Sequence, residues 1–178
     1  MSLKELTAEK HSLAENTPFM KAVFNQTLPL DLWADFMYQK WLWYGAIENS
    51  ASSMGLLEDM QDIRRAWLIF QDYQEMDGSI REFKPAAKEY YQYILSIKDP
   101  QRIMAHLYTW HMGDMFGGQM IKKIVNAPHR HLEFNNVREL MTVVRSKLND
   151  DMAQEANCAF DWAIKNLREY DNHLGQNI

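Results

Sequence analysis

The sequence contains little cysteine, glycine or proline. Its 178 residues include one cysteine, Cys158, with seven glycines and five prolines. A single cysteine excludes an intrachain disulfide framework and fits a reducing compartment. Few helix-breaking residues beside 12 Met, 6 Trp and 8 Tyr indicate helices packed around something large and apolar.

Long apolar runs and an excess of positive charge are also missing. No stretch approaches the roughly 18 consecutive apolar residues of a membrane-spanning helix, and the charged N-terminus lacks the apolar core of a signal peptide. The 24 acidic and 19 basic side chains give a net charge of −5, which argues against a protein that coats nucleic acid. We therefore expect a cytoplasmic protein that neither spans a membrane nor binds nucleic acid.

What the sequence does contain is apolar residues at three- and four-residue spacing, which predicts helices, while strand patterns are nearly absent. The length suits one domain, so we expect a single all-α domain over residues 1–178. The predicted helices cover residues 2–15, a short segment from Thr17-Pro18, 28–54, 58–76, 85–98, 99–126 and 133–174, the last with a break near 149–151.

Three of the seven glycines fall within six residues of a helical segment, at Gly113, Gly117 and Gly118. Each costs roughly 1 kcal/mol relative to alanine in a helix interior. Gly113 and Gly117 are four apart and leave one strip of bare backbone, with Asp114 beside it. This pattern predicts either a ligand surface, with a carboxylate that organises water or protons, or close helix packing with a kink.

His11 lies on the first predicted helix, seven residues after Lys4 and four before Glu15, so the three share one face. A neutral imidazole can ligate iron, and a lysine on the same face can meet an anionic part of the ligand. A surface or packing histidine is the alternative interpretation.

The remaining candidates give weaker signals. His129 and His131 resemble a weak metal-binding pair that we expect no carboxylate or cysteine to complete. His106 and His111 are candidates for solvent-facing positions. Cys158 lies in a predicted helix and is expected to be buried packing rather than a nucleophile.

Two motifs together resemble the heme oxygenases, in particular the soluble ferredoxin-dependent type of cyanobacteria and their phages. The segment from Leu3 to Asn16, with His11 before Ala14-Glu15-Asn16, is similar to the family's proximal-histidine helix. The run Gly113-Asp114-x-x-Gly117-Gly118-Gln119 is similar to its distal helix. Weaker agreement includes Tyr44, Glu48 and the segments 145–149 and 155–160, so the resemblance covers nearly the whole chain.

The resemblance implies a helical bundle with haem sandwiched between a proximal and a distal helix. His11 would be the axial ligand of the haem iron, with Glu15 orienting its ring. Gly113 and Gly117 would leave room for O₂ above the haem, and Asp114 with Tyr44 would hold the water network that delivers protons. The remaining expected haem contacts are Lys4, Tyr108 and Arg145 at the propionates, and Gly118 and Phe160.

The implied activity is cleavage of haem, at once cofactor and substrate, to biliverdin IXα, CO and ferrous iron, with no other metal. Reduced ferredoxin would dock on a basic rim, and a bilin reductase could take the product. The rim candidates are Lys4, Lys10, Lys122, Lys123, Arg138, Arg145 and Lys147. Two alternatives stay open: a haem carrier that leaves the ring intact, and a thiamin-type hydrolase that uses Cys158.

Several positions depart from the family pattern. Trp110 stands where many relatives have an arginine of the distal network, and Phe116 replaces a small residue. Ala8 and Met141 occupy positions that are often basic in relatives. The resemblance therefore implies a distal network with different members and fewer propionate anchors.

Overall fold

Short helices joined by tight turns make up residues 1–175, the part of the chain that the computed structural model describes. These residues contain no β-strand. The helices are α1 (Leu3–Leu6), α2 (Ala8–Glu15), α3 (Pro18–Phe24), α4 (Leu30–Ser53), α5 (Ala66–Met76), α6 (Pro85–Ser96), α7 (Pro100–Leu107), α8 (Gly113–Phe116), α9 (Gly118–Ile124), α10 (Val137–Ser146), α11 (Ala153–Arg168) and α12 (Asp171–Leu174).

The long helix α4 forms the centre of the core. It packs along α5, α6 and α7, and Trp43, Tyr44 and Ile47 on it are fully buried. Burying aromatic rings of this size supplies much of the apolar stabilisation of a helical domain. The expected all-α architecture is confirmed for the described residues. A domain that extends through residues 176–178 stays a prediction, because these residues lie outside the described part.

The predicted helix starts agree with the observed caps. Ser2 and Glu5 form a reciprocal capping box at α1. The Thr17 hydroxyl accepts from the Met20 amide at α3, and the Asp99 carboxylate accepts from the Gln101 amide at α7. In each case a short polar side chain satisfies an amide that has no partner within the helix.

Two predicted helices have different bounds in the structure. The helix predicted over residues 2–15 divides at Thr7, whose hydroxyl donates to the Leu3 carbonyl at 2.9 Å. The helix predicted from Glu58 begins only at Ala66. The Glu48 carboxylate on α4 accepts from the amides of Arg65 and Ala66, at 2.5 and 3.1 Å. This cap comes from another helix, so local sequence could not reveal it.

The helix predicted over residues 99–126 contains an irregular turn at its middle. Residues Tyr108–Met112 form a π-helical turn between α7 and α8, and Gly117 separates α8 from α9. A π-helical turn moves the following residues round the helix axis relative to a continuous α-helix, and such turns are frequent at functional sites. His111 within this turn and Asp114 just after it both face the interior.

The C-terminal part agrees with the expected break. The expected loop after Asn126 contains a 3₁₀ turn at Arg130–Leu132, and α10 follows Asn136, which adopts a left-handed conformation with φ 52°. A second 3₁₀ turn at Asp150–Met152 separates α10 from α11, as the break near 149–151 predicted.

Candidate functional site

His11 lies on the outer face of α2 with 56% of its side chain exposed. Its Nε2 atom is 3.4 Å from the Glu15 Oε1 atom one turn later. The Phe160 ring on α11 meets the imidazole edge-on, with 5.6 Å between the ring centroids. The structure therefore brings His11, Glu15 and Phe160 together and leaves the imidazole accessible.

A second exposed surface lies on α8 and α9, where an apolar strip is formed by Gly113, Phe116, Gly117 and Met120. These positions follow a helical i, i+3, i+4, i+7 spacing. Phe116 and Met120 are 53% and 59% exposed, which is unusual for large apolar side chains that line one face. We call these four residues the apolar strip.

The glycines of this segment have different structural roles. A Cβ at Gly113 would meet no atom within 4 Å, and its φ of −57° is ordinary helical geometry. Neither packing nor backbone conformation requires glycine there. At Gly117 a Cβ would lie 3.1 Å from the Gly113 carbonyl oxygen. At Gly118 it would lie 2.7 Å from Leu132 Cδ2, so Gly118 permits close packing.

Asp114 lies behind the apolar strip in a buried polar network. Its Oδ1 accepts from Lys40 Nζ at 2.7 Å, and its Oδ2 accepts from the Tyr44 hydroxyl at 2.5 Å. Burial alone would raise the pKa of Asp114, but the charges of Lys40 and His131 and the hydrogen bonds from Lys40 and Tyr44 together outweigh it, and the pKa is lowered. Burial, and then the negative charge of Asp114, raise the pKa of Tyr44 well above its ordinary value. The network therefore contains a carboxylate and a protonated phenol.

Helix α4 presents Lys40, Tyr44 and Glu48 at four-residue intervals, hence on one face. Glu48 Oε1 lies 2.9 Å from His111 Nε2, and the His111 ring is fully buried. The expectation that His106 and His111 face solvent is wrong, because both rings are buried. Polar residues at four-residue intervals in an otherwise apolar helix could have indicated the inward role of Lys40.

His129 and His131 do not form a metal-binding pair. His131 is buried, and its Nδ1 lies 2.7 Å from Asp72 Oδ2. His129 is partly exposed, and its Nδ1 lies 3.3 Å from Glu133 Oε1. Within residues 1–175 no three histidine, cysteine or acidic residues are grouped as a metal site.

A further buried cluster surrounds Glu155 on α11. His106 Nε2 lies 2.9 Å from Glu155 Oε1, and Arg102 Nε donates to Oε2 at 3.0 Å. The Cys158 thiol donates to the Tyr93 hydroxyl at 3.4 Å. Burial raises the pKa of Cys158, which disfavours the thiolate that a cysteine nucleophile requires.

Two of the three residues expected to contact the propionates are exposed to solvent, and the third is half-buried. Lys4 and Arg145 are exposed and form no ion pair within the described part of the chain, whereas Tyr108 is half-buried against the core. A surface cleft of about 420 Å³ lies elsewhere, between the start of α4 and the 126–128 segment, and none of the expected site residues lines it.

Comparison with known proteins agrees with this architecture. A sequence model described as heme oxygenase matches residues 1–169. Heme oxygenase 1 of Synechocystis is 27% identical, with 97% of this chain and 84% of that protein covered. Heme oxygenase 2 of Macaca fascicularis is 25% identical over 95% of this chain, and the match spans 64% of that protein's length.

Solved structures give the same result for the fold. The Synechocystis heme oxygenase-1 structure in complex with heme has a TM-score of 0.86 at 22% identity, with 98% of this chain and 92% of that chain covered. A Leptospira interrogans heme oxygenase has a TM-score of 0.83 at 22% identity, covering 95% and 100%. Among residues 1–175 no helix is both long and apolar enough to cross a membrane. The matched segment spans nearly the entire sequence, and this chain belongs to the heme oxygenase family.

Proposed function

We propose that this protein is a heme oxygenase that cleaves haem to biliverdin IXα, CO and ferrous iron with O₂ and electrons from reduced ferredoxin. The observation that supports this most strongly is the apolar strip, with open space at Gly113 and the buried Asp114 carboxylate directly behind it. A flat apolar ligand accounts for an exposed apolar helix face that nothing within residues 1–175 covers.

The residues present fit haem. Its iron accepts a neutral imidazole, which His11 would supply, and its apolar ring suits the apolar strip and the Phe160 ring. Its propionates require donors, for which Lys4, Arg145 and Tyr108 are the candidates; Gly118 would let the distal backbone stay close to Leu132. When bound, haem supplies the iron that activates O₂ and the ring carbon that is oxidised.

On the proximal side, Glu15 would fix the orientation of the His11 imidazole. The two imidazole nitrogens have separate tasks, because the nitrogen that binds a metal is set by the hydrogen bond of the other. Glu15 lies beside Nε2 in this structure. Ligation through Nε2 would require the ring to rotate about the Cβ–Cγ bond, so that the edge with Nδ1 faces Glu15.

On the distal side, Asp114 would order water rather than act directly as an acid. An ionised carboxylate accepts hydrogen bonds and has no proton of its own to give. Its two oxygens already accept from Lys40 and Tyr44, and each retains a lone pair for water. A proton would then reach the reacting oxygen through water, which is a weaker acid than a neighbouring protonated side chain.

Electrons would come from an acidic ferredoxin docked on the basic rim, since complementary charge steers such encounters. Of the seven rim candidates, Lys10 pairs with Asp161 at 2.6 Å and Lys147 with Asp59 at 3.0 Å. The unpaired candidates within residues 1–175 are Lys4, Lys122, Lys123, Arg138 and Arg145. A bilin reductase would be the consumer of the product.

The direct test adds haem, ferredoxin, ferredoxin reductase and NADPH under air and follows the absorption spectrum. The proposal predicts loss of the haem Soret band and growth of a bilin band. A stable haem complex would instead support the carrier alternative. Cys158→Ser should leave turnover unchanged, and loss of turnover in that variant would revive the thiol-based alternative.

A further inference from the structure

We propose that Lys40 is a positioning residue of the distal site, a buried cation from α4 that holds Asp114 ionised and fixed beside the apolar strip. This inference rests on the proposed function for its role in turnover. Its electrostatic part concerns the protein alone, and the two parts are tested separately below.

The contact is short and enclosed. Lys40 Nζ lies 2.7 Å from Asp114 Oδ1, and only 6% of the Lys40 side chain and 10% of the Asp114 side chain are exposed. Lys40 is the only lysine among residues 1–175 that is buried. Solvent and salt therefore screen this pair less than they screen an exposed pair.

The contact also fixes the carboxylate plane. Lys40 and Tyr44 are one turn apart on α4, and each donates to a different oxygen of Asp114. Two donors from one rigid helix hold a carboxylate more closely than one donor from a loop. The indole of Trp110, on the π-helical turn before Asp114, donates instead to the Tyr90 hydroxyl at 3.0 Å, so it does not compete for the carboxylate.

Stability alone does not account for the pair. Removing two charges from water costs several kcal/mol per ion, and apolar residues of similar volume often serve a core equally well. Met37, Trp43 and Ile47 on the same helix are fully buried apolar residues, so an apolar residue at the buried position 40 would fit the pattern of this helix. The lysine is therefore better explained by the charge state that it imposes on Asp114.

Several other ionisable groups face this pair and set the context for any pH dependence. Tyr44 and Glu48 lie on α4 with Lys40, and His111 packs against Tyr44 with 4.5 Å between the ring centroids. His131 and Asp72 form the next buried pair, and the charges of Lys40 and Asp114 both act on His131. These groups are the same in the wild type and in a Lys40 variant, so the comparison changes only the side chain at position 40.

The first measurement is the pKa of Asp114 in the haem-free protein, from carboxyl carbon NMR titrations assigned with Asp114→Asn. Lys40→Met keeps the side-chain length and removes the charge, so the pKa should rise by about one to three units. Lys40→Arg should restore most of the wild-type value. Lys165→Met, which removes an exposed pair with Glu89, should leave Asp114 unchanged. An unchanged Asp114 pKa in Lys40→Met overturns the inference.

The second measurement is the pH profile of single-turnover haem degradation. Asp114 must be ionised to order water, so the acidic limb should move to higher pH in Lys40→Met and return towards wild type in Lys40→Arg. A raised Asp114 pKa with an unmoved pH profile overturns the role in turnover. If Lys40→Met does not fold, Lys40→Gln makes the same comparison. If the wild-type protein does not degrade haem, the proposed function fails, whereas the NMR result still decides the electrostatic part.

Discussion

His11 and Glu15 lie one turn apart on α2, with 3.4 Å between Nε2 and Oε1 and with about half of each side chain exposed. His129 and Glu133 form a similar pair on another surface, with 3.3 Å between Nδ1 and Oε1. The proposed function makes the first pair the proximal side of the haem site and gives the second pair no role. The two pairs therefore provide a matched comparison.

We predict that His11→Ala abolishes the visible spectrum of imidazole-ligated haem, because His11 is the one histidine on α2. Added imidazole should restore that spectrum in part. Glu15→Gln should weaken haem binding by about 10-fold or more, as loss of a hydrogen bond to a ligating histidine does. His129→Ala should bind haem like the wild type. If His129→Ala loses ligation and His11→Ala keeps it, the proximal assignment is wrong.

We predict opposite effects of substitution on stability and haem binding at Gly113. Gly113→Leu should stabilise the haem-free protein by up to about 1 kcal/mol, because leucine is the better helix former and the space is open. It should also weaken haem binding, since the new side chain would occupy the distal surface. Urea unfolding and haem titration measure the two effects.

Gly45→Leu is the control, because a Cβ at Gly45 on α4 also meets no atom within 4 Å. Gly45→Leu should stabilise the haem-free protein about as much as Gly113→Leu does, and it should leave haem affinity unchanged. Equal haem affinity in both variants would contradict the distal assignment of Gly113.

We predict that Glu155 stabilises the fold at neutral pH and loses this effect in acid. Burial would raise its pKa, but hydrogen bonds from His106, Tyr93 and Arg102 lower the pKa from 4.5 to about 2. The folded state therefore binds the proton less readily than the unfolded state, so this stabilisation is present above pH 4.5 and disappears as the pH falls towards 2. Glu155→Gln should cost about 2–3 kcal/mol at pH 6.

That cost should shrink steadily between pH 4.5 and pH 2 in urea unfolding experiments. Glu133→Gln, on the exposed pair with His129, is the control and should change stability little. A cost for Glu155→Gln that does not vary with pH would show that Glu155 acts through packing rather than through its charge.

We predict that salt slows turnover driven by ferredoxin, because screening weakens docking on the basic rim. Raising the ionic strength to about 0.5 M, where the Debye length is only a few ångströms, should lower the rate several-fold and leave haem affinity unchanged. Ascorbate, a small reductant that needs no docking surface, is the control. Salt-insensitive turnover with ferredoxin would contradict the rim assignment.

The sequence predicts the helices and the site residues unequally well. Caps such as Ser2 and Thr17 accept hydrogen bonds from amides three residues later, so the nearby sequence is enough to locate them. The start of α5 could not be located in this way, because its cap is Glu48, which lies on another helix, 17 residues before Arg65. The inward position of His111 depends on the π-helical turn and on tertiary packing, which leave little trace in local spacing, whereas the polar residues at four-residue intervals on α4 could have indicated that of Lys40.

The glycine motif shows the same division. Its spacing predicts a strip of backbone without side chains. Only the structure shows that Gly113 has open space around it, whereas Gly118 packs on Leu132. The structure shows close packing at Gly118, whereas the ligand surface at Gly113 stays a proposal.

The proposed function requires that this protein opens the haem ring and does not merely bind it. The most direct test is chromatography of the product after aerobic turnover of the haem complex with reduced ferredoxin, alongside biliverdin isomer standards. We expect biliverdin IXα, with one CO released for each haem consumed. Recovery of intact haem after the electrons have been supplied would contradict it.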